Sequence, residues 1–237
     1  MNPKVSIIIP FYNCSYVQQA IQSAKQQTYK NIEIIVVDDG STKEIDKLER
    51  YKNDIVYLRK ANGGTATALN HGIEHATGEY IAWLSSDDFF MPDKIAKQLK
   101  FMLANSYDAS FTNYDIIDKN NHVITPCNSQ RFTTITEVYK SYLNTNIING
   151  CTIMLKKDLF KKFGKFNEVF KYTHDYEMWF RLLVNGIPIH YYDDSLTKFR
   201  THDESGTSKY QHEMLNEMKL IESYYRPKMI QYIICNL

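Results

Sequence analysis

The sequence has few cysteines and no long apolar run. Only four of its 237 residues are cysteines, and no two of them form a CxxC pair, so neither a zinc knuckle nor a disulfide framework is expected. No apolar run approaches the ~20 residues that a membrane-spanning helix requires. The first residues also lack the basic segment of a secretory signal peptide. These absences predict a protein with reduced thiols that works in the cytoplasm.

The sequence also lacks an excess of either charge. It contains 28 basic and 27 acidic residues, which gives a formal net charge of +1 at pH 7. Proteins that bind nucleic acid through its phosphates normally carry a basic surplus, so no nucleic-acid partner is expected. Hydrophobic residues make up 43% of the chain, which is ordinary for a globular protein with a packed core.

The first part of the chain alternates between short apolar runs and amphipathic stretches. The apolar runs, rich in β-branched residues, predict strands at 5–9, 32–37, 55–58 and 79–84, and the stretches between them predict helices at 16–27, 43–51 and 65–75. Such alternation argues for an α/β fold whose mostly parallel central sheet is flanked by helices, as in Rossmann-like proteins.

The pattern becomes less regular after residue 93. It predicts helices at 93–105, 158–163 and 175–184, strands at 109–113, 152–155 and 187–192, and a mostly helical tail at 211–234. No linker separates the two parts. We therefore expect one domain with two halves, residues 1–105 and 106–210, followed by a helical tail at 211–237.

Polar side chains follow three of the predicted strands. They are the segments 11–13, 38–39 and 87–88, and the last two are pairs of aspartates. In open parallel sheets, ligands bind beyond the carboxyl ends of the strands. Three strand ends with polar residues therefore indicate one binding cleft at that edge of the sheet.

Asp87 and Asp88 allow two interpretations. A carboxylate here could bind a hard divalent cation such as Mg²⁺ or Mn²⁺, which prefers oxygen ligands. Alternatively, the pair could cap the helix that follows, although Asp93 is a better signal for that helix start.

Four other groups have comparable alternatives. Asp39 could contact a nucleobase or ribose, or belong to an Asp-Gly turn. Residues 62–64 could hold an anion at a helix start, although their spacing matches no known phosphate loop. Asp175 or Glu177 could be a general base, or only complement a helix dipole. Arg200 and His202 could face one anion–metal complex, or lie in a surface loop.

Taken together, these motifs resemble the family 2 glycosyltransferases of the GT-A fold. The resemblance covers nearly the whole chain, from Val5 to about Ser208. It is carried by VSIIIPFYN (5–13), IIVVDDGST (34–42), NGG (62–64) with ALNHGI (68–73), GEY (78–80), LSSDD (84–88), MP (91–92), HDYEMWFRL (174–182) and FRTH (199–202).

The resemblance implies a nucleotide-sugar donor, a divalent metal (Mn²⁺ or Mg²⁺) and inversion at the anomeric carbon. It assigns the metal to Asp87 and His202 and the general base to Asp175. The carboxy-terminal half becomes the acceptor side of the fold. Donor contacts fall on eight residues, with Arg200 near the diphosphate and Asp39 at the edge of the base: Pro10, Tyr12, Asp39, Asn62, Gly64, Ser86, Asp88 and Arg200.

The sequence departs from the family pattern at three positions. Ser85 replaces the first aspartate of the Asp-x-Asp element, Leu69 stands where many members have an arginine near the base, and His174 replaces the glutamate before the general base. These departures affect the assignment of the donor more than that of the fold.

The sequence-based prediction is an inverting, metal-dependent transferase. It would move a sugar from a nucleotide donor, most simply a UDP-sugar, to a glycan or lipid-linked acceptor in polysaccharide synthesis. A sugar nucleotidyltransferase and a non-catalytic nucleotide-sugar-binding module are the alternatives. Basic and aromatic residues in the tail are typical of a helix that contacts the inner face of a membrane. Packing on the domain or on a second subunit of a homodimer is an equal alternative.

Overall fold

A nine-stranded mixed sheet runs through the protein. It is seen in a computed structural model that describes residues 2–202, 205 and 209–237. The strands are β1 (Val5–Phe11), β2 (Ile32–Asp38), β3 (Val56–Arg59), β4 (Tyr80–Trp83), β5 (Phe89–Phe90), β6 (Ala109–Ile117), β7 (Val123–Thr125), β8 (Met154–Lys156) and β9 (His190–Arg200).

Helices cover both faces of this sheet. They are α1 (Val17–Lys25), α2 (Thr65–His75), α3 (Lys94–Asn105), α4 (Ile135–Tyr142), α5 (Asp158–Phe163), α6 (His174–Val184) and α7 (Gln211–Asn236). Two 3₁₀ helices, Ile45–Tyr51 and Gly150–Thr152, complete the regular structure of the described residues.

The order of the strands is β3-β2-β1-β4-β8-β6-β9-β5, with β7 paired to β6. The four amino-terminal strands β3, β2, β1 and β4 are parallel. Strand β8 joins β4 and β6 in antiparallel pairings, and β9 then runs parallel to β6. The predicted parallel sheet is therefore the amino-terminal half, and the complete sheet is mixed.

The alternation of side chains along β1 divides the core in two. Ile7 and Ile9 face α1 and α3, whereas Ile8 faces α2. All three are completely buried, because β1 lies between β2 and β4 with helices above and below it. This arrangement makes β1 the rigid centre from which the cleft at the carboxyl ends of β1, β2 and β4 is built.

Several elements differ from the sequence-based expectation. The predicted helix at 43–51 is a 3₁₀ helix, and the region before residue 146, expected to be irregular, contains β7 and α4. The strand predicted at 187–192 is β9, which extends to Arg200. This extension matters for function because it moves Arg200 from a loop into the sheet. No helix in the described part of the chain is long and apolar enough to cross a membrane.

Candidate active site

The carboxyl ends of β1 and β2 are joined by hydrogen bonds. The backbone N–H of Asp39 donates to the carbonyl of Phe11 (2.9 Å). Asn13 Oδ1 accepts the N–H groups of Thr42 and Lys43 (2.8 Å each). The two polar strand ends are therefore brought together, as the sequence predicted from the parallel sheet.

Asp39 anchors the start of α2. Its Oδ1 accepts from Lys60 Nζ (2.7 Å) and the Gly63 N–H (3.1 Å), and its Oδ2 accepts from the Gly64 N–H (2.7 Å). The residue is only 3% exposed. The carboxylate thus satisfies the free N–H groups at a helix start, as an N-cap does.

This geometry bears on two predicted donor contacts, at Asp39 and Gly64, which stay predictions. The carboxylate of Asp39 accepts from Lys60, Gly63 and Gly64, so the edge of a base would have to share the carboxylate with these donors or displace them. The N–H of Gly64 points to Asp39 rather than to a substrate anion. Lys60 was missed in the sequence, although it directly follows β3 at the same edge of the sheet.

The other predicted base contacts lie around this strand edge. Tyr12, just after β1, is 53% exposed, and its neighbour Pro10 is partly buried within the strand. Asn62 is exposed and donates from Nδ2 to the carbonyl of Asp39 (2.9 Å). Ser86 is nearly buried in the turn after β4. Tyr12 therefore presents the open aromatic surface of this group.

Asp87 and His202 form a pair in the turn after β4. His202 Nε2 lies 3.1 Å from Asp87 Oδ2, although 115 residues separate them in the sequence. The side chain of His202 is 16% exposed and that of Asp87 is 24% exposed. The pair joins an oxygen donor and a nitrogen donor in a partly open position, which suits a divalent cation.

Asp88 points the other way, into the protein. It is 1% exposed, and its Oδ1 accepts the backbone N–H of Arg200 (2.8 Å). Burial and the nearby charge of Asp87 raise the pKa of Asp88 well above its ordinary value. In this structure Asp88 fixes β9 against the turn that carries Asp87, and its assignment to the donor stays a prediction.

Arg200 is also buried rather than exposed to a diphosphate. Its guanidinium donates to the carbonyls of Asp87 (2.8 Å) and Asp118 (3.0 Å) and to side-chain oxygens of Gln19 (2.5 Å) and Asn121 (2.8 Å). The residue is completely buried. The predicted contact with the diphosphate stays a prediction, and in this structure protein groups bind the guanidinium. Arg200 therefore joins three segments of the chain: the Asp87 turn, helix α1 and the turn at residues 118–121.

Ser85, which stands where the family pattern has an aspartate, contacts a buried cysteine. Its N–H and its hydroxyl lie 3.3 and 3.0 Å from Cys151 Sγ. Burial raises the pKa of Cys151, so the thiol is neutral. No pattern in the sequence linked Ser85 to Cys151, because the two residues are 66 positions apart.

Asp175 lies in the first turn of α6, as predicted. Its Oδ1 accepts the N–H of Tyr176 (2.8 Å), and the side chain of Asn146 also bonds to the carboxylate. Burial raises the pKa of Asp175 above its ordinary value, although these hydrogen bonds and His174 oppose the change. An aspartate with a raised pKa is a suitable general base.

His174 connects Asp175 to the end of β4. Its ring lies 5.5 Å from the rings of both Trp83 and Phe166, measured between centroids. Burial lowers the pKa of His174, which keeps the imidazole neutral. Gly150 packs directly against Trp83, where a Cβ would collide with the indole. Trp83 ends β4, two residues before Ser85, so this contact packs the start of α6, which carries Asp175, against the end of β4.

The chain is similar to a known family of enzymes. Residues 6–164 match the family described as Glycosyl transferase family 2. An uncharacterized glycosyltransferase of Rickettsia typhi is 40% identical over 234 residues, covering 94% of this chain and 71% of that protein. The chain spans only about a third of the length of three other Rickettsia relatives (36%, 35% and 31%).

Two further relatives have more specific names. The putative teichuronic acid biosynthesis glycosyltransferase TuaG of Bacillus subtilis is 32% identical, with coverage of 87% of this chain and 82% of TuaG. UDP-Glc:alpha-D-GlcNAc-diphosphoundecaprenol beta-1,3-glucosyltransferase WfaP of Escherichia coli is also 32% identical, with coverage of 92% and 86%.

Solved structures confirm the fold. Residues 1–349 of S. aureus TarS in complex with UDP-GlcNAc superpose with a TM-score of 0.71 at 20% identity, covering 92% of this chain and 65% of that one. At this identity the likeness shows the GT-A fold alone. With the family match and the relatives above, it leads to one conclusion: the chain belongs to glycosyltransferase family 2.

Proposed function

We propose that this glycosyltransferase is an inverting, metal-dependent enzyme that uses a UDP-sugar. The observation that carries the proposal is the contact between Asp87, in the turn after β4, and His202. The contact of His174 with Trp83, at the end of the same strand, supports a role for the neighbouring Asp175. This arrangement would provide a place for a charged leaving group at Asp87 and His202 and a separate general base at Asp175.

Asp87 and His202 fit a divalent cation that a substrate helps to bind. In the described ranges 2–202, 205 and 209–237, no group of three His, Cys, Asp or Glu residues could hold a metal. Mg²⁺ and Mn²⁺ are commonly held by one or two protein groups together with substrate phosphates, so two ligands suffice. When bound there, the cation would offset the charge that develops on the diphosphate.

Asp175 would act on the acceptor. A carboxylate in the first turn of α6 can accept the proton of a sugar hydroxyl as that oxygen attacks the anomeric carbon. Attack from the face opposite the diphosphate inverts the configuration. A positioned base of this kind typically contributes about 10²–10⁴-fold to the rate.

A UDP-sugar is the donor that the relatives favour. The name of WfaP specifies UDP-glucose, and TarS has been crystallised with UDP and with UDP-GlcNAc. In this chain, the exposed ring of Tyr12 next to Pro10 would border the base, and Asn62 and Ser86 would line the donor side of the cleft. The acceptor would be a glycan or lipid-linked glycan in polysaccharide synthesis, as the names of TuaG and WfaP suggest.

Release of UDP from candidate donors tests the proposal. We expect slow hydrolysis of UDP-glucose or UDP-GlcNAc without acceptor in the presence of Mn²⁺, and its loss on chelation. Formation of a sugar nucleotide from a sugar phosphate would instead identify a nucleotidyltransferase. Donor binding without hydrolysis or transfer to any acceptor would favour a non-catalytic module.

A further inference from the structure

Helix α7 has apolar residues on two opposite faces. On its inner face, Ile221 and Met229 are buried, and Tyr225 and Ile233 pack against the core. A second stripe, which we call the outer face, recurs every three or four residues and consists of Leu220, Tyr224, Pro227, Ile230 and Ile234. The inner face therefore accounts for only half of the apolar residues of this helix.

The outer face is open. Leu220 is 64% exposed, Tyr224 59% and Ile234 78%. A helix that only covers a domain normally has polar residues on its solvent side. Apolar side chains that form a continuous stripe on a surface mark an interaction site more often than single exposed ones do.

The charges around the outer face are predominantly basic. Helical spacing places the exposed Lys219 and Lys228 on opposite sides of the stripe. Lys228 Nζ also lies 3.5 Å from the centroid of the Tyr224 ring. Aromatic and aliphatic residues bordered by lysines are the pattern of a helix that lies in a lipid interface.

Two of the three acidic residues of α7 are engaged with the domain, and the third, Glu213, is exposed near the start of the helix. Glu217 accepts the N–H groups of residues 171–173, with distances of 2.9, 3.0 and 2.9 Å. Glu222 accepts from the hydroxyl of Tyr176 (3.1 Å) and from Arg226 (3.1 Å). Because these carboxylates are engaged with the domain, they leave the lysines without acidic neighbours from the middle of the helix.

We propose that the outer face of α7 binds the surface of an anionic lipid bilayer. Its apolar residues would enter the boundary between headgroups and acyl chains, and Lys219 and Lys228 would contact the anionic headgroups. A second copy of the chain fits less well, because a symmetric pairing of the outer faces would bring lysines together while Glu217 and Glu222 are engaged with the domain. The proposal does not depend on which sugar the enzyme transfers.

Vesicle co-sedimentation of the 237-residue chain tests the proposal without any donor or acceptor. We expect the protein to bind vesicles of phosphatidylcholine with phosphatidylglycerol more tightly than vesicles of phosphatidylcholine alone. The double variant Leu220→Gln/Ile234→Gln should lower binding more than tenfold. Loss of either Lys219 or Lys228 to Gln should lower it about fivefold, since each basic residue near an anionic surface contributes about 1 kcal/mol.

Leu215→Gln is the matched control. Leu215 is on the same helix and 57% exposed, but helical spacing places it off the outer face, so its loss should leave vesicle binding unchanged. Circular dichroism and thermal unfolding would show whether each variant folds. Sedimentation velocity would reveal dimers.

Three results would overturn the proposal. They are no binding of the wild type to anionic vesicles, equal binding of the folded double variant, and a wild-type dimer that the double variant dissociates while vesicle binding stays the same. None of these bears on donor hydrolysis, which is measured separately. Failure of the membrane proposal and failure of the proposed reaction are therefore distinguishable.

Discussion

At the scale of single residues, Asp175 and Arg200 illustrate two ways in which a side chain can serve this site. Asp175 is partly exposed beside Tyr176 and would meet the acceptor directly. Arg200 is completely buried and bonds only to protein groups that carry or surround the Asp87 turn. Substitution of Asp175 should therefore lower kcat, whereas substitution of Arg200 should lower the free energy of unfolding.

The change Asp175→Asn should lower kcat by about 10²–10⁴-fold, because an amide cannot accept the acceptor's proton. Binding of UDP should be unchanged, since Asp175 is assigned to the acceptor. Steady-state kinetics and calorimetry measure the two effects. Asp158→Asn, an exposed aspartate at the start of α5, is the control and should leave both unchanged. Transfer at the wild-type rate by Asp175→Asn would exclude it as the base.

The pH dependence of kcat should show the raised pKa of Asp175. A general base acts in its deprotonated form, so the rate falls as pH decreases through its pKa. Because burial raises this pKa, the acid limb should lie above the ordinary aspartate value of 3.8. A pH–rate profile that stays flat to pH 4 in a still-folded enzyme would contradict this prediction.

Replacing Arg200 should destabilise the fold. Arg200→Gln would leave several buried oxygens without their donor, including the carbonyls of Asp87 and Asp118. We expect a loss of about 3 kcal/mol in the free energy of unfolding, measured with urea. Arg131→Gln removes an exposed arginine and should cost no more than about 0.5 kcal/mol. Equal stability of the two variants would show that the bonds of Arg200 contribute little.

The residues also show what the sequence could not predict. Asp87, His202 and Asp175 were identified from motifs, and the structure brings Asp87 and His202 into contact. The roles of Asp39 and Arg200 depend on the direction of the side chain, which a motif does not specify. Asp39 bonds to Lys60 across 21 residues, and Arg200 to Gln19 across 181, so neither contact has a local signal.

At the scale of elements, α7 holds the segment that precedes Asp175. Glu217 accepts three consecutive N–H groups, from residues 171–173, directly before α6 begins at His174. The hydroxyl of Thr173 also donates to it (2.7 Å). The tail is therefore joined to the helix that carries Asp175.

Glu217→Gln should impair the reaction through this segment. A neutral amide accepts these N–H groups less strongly, so the start of α6 should become less well held and kcat should fall several-fold. UDP affinity should not change, because the donor side is built from β1, β2 and β4. The control is Glu213→Gln, an exposed carboxylate one turn earlier on α7. A lower affinity for UDP with normal kcat would contradict the prediction.

Elements with strong periodicity were predicted well. The buried runs of β1 and β2 and the amphipathic pattern of α2 lie where the sequence indicated. Helix α4 was missed although Thr134 and Glu137 form a capping box at its start. The extension of β9 was missed because its outer residues are polar and form a strand only by pairing with β6.

At the scale of the whole molecule, the sheet order explains why the site forms. Parallel pairing of β2, β1 and β4 brings three strand ends to one edge, and this part followed from the alternation of strands and helices. The insertion of β8 between β4 and β6 depends on pairings between distant segments, so it could not be predicted from local pattern. The predicted division at residues 105 and 210 stays a prediction.

We expect that Asp87 takes part in a metal-dependent site for a nucleoside diphosphate. Calorimetric titration of UDP into the wild type and into Asp87→Ala, with and without Mn²⁺, tests it most directly. We predict UDP binding by the wild type that requires Mn²⁺ and is lost in Asp87→Ala, with unchanged thermal unfolding of the unliganded proteins. UDP binding that is independent of Mn²⁺ and of Asp87, or no binding in any condition, would contradict the claim.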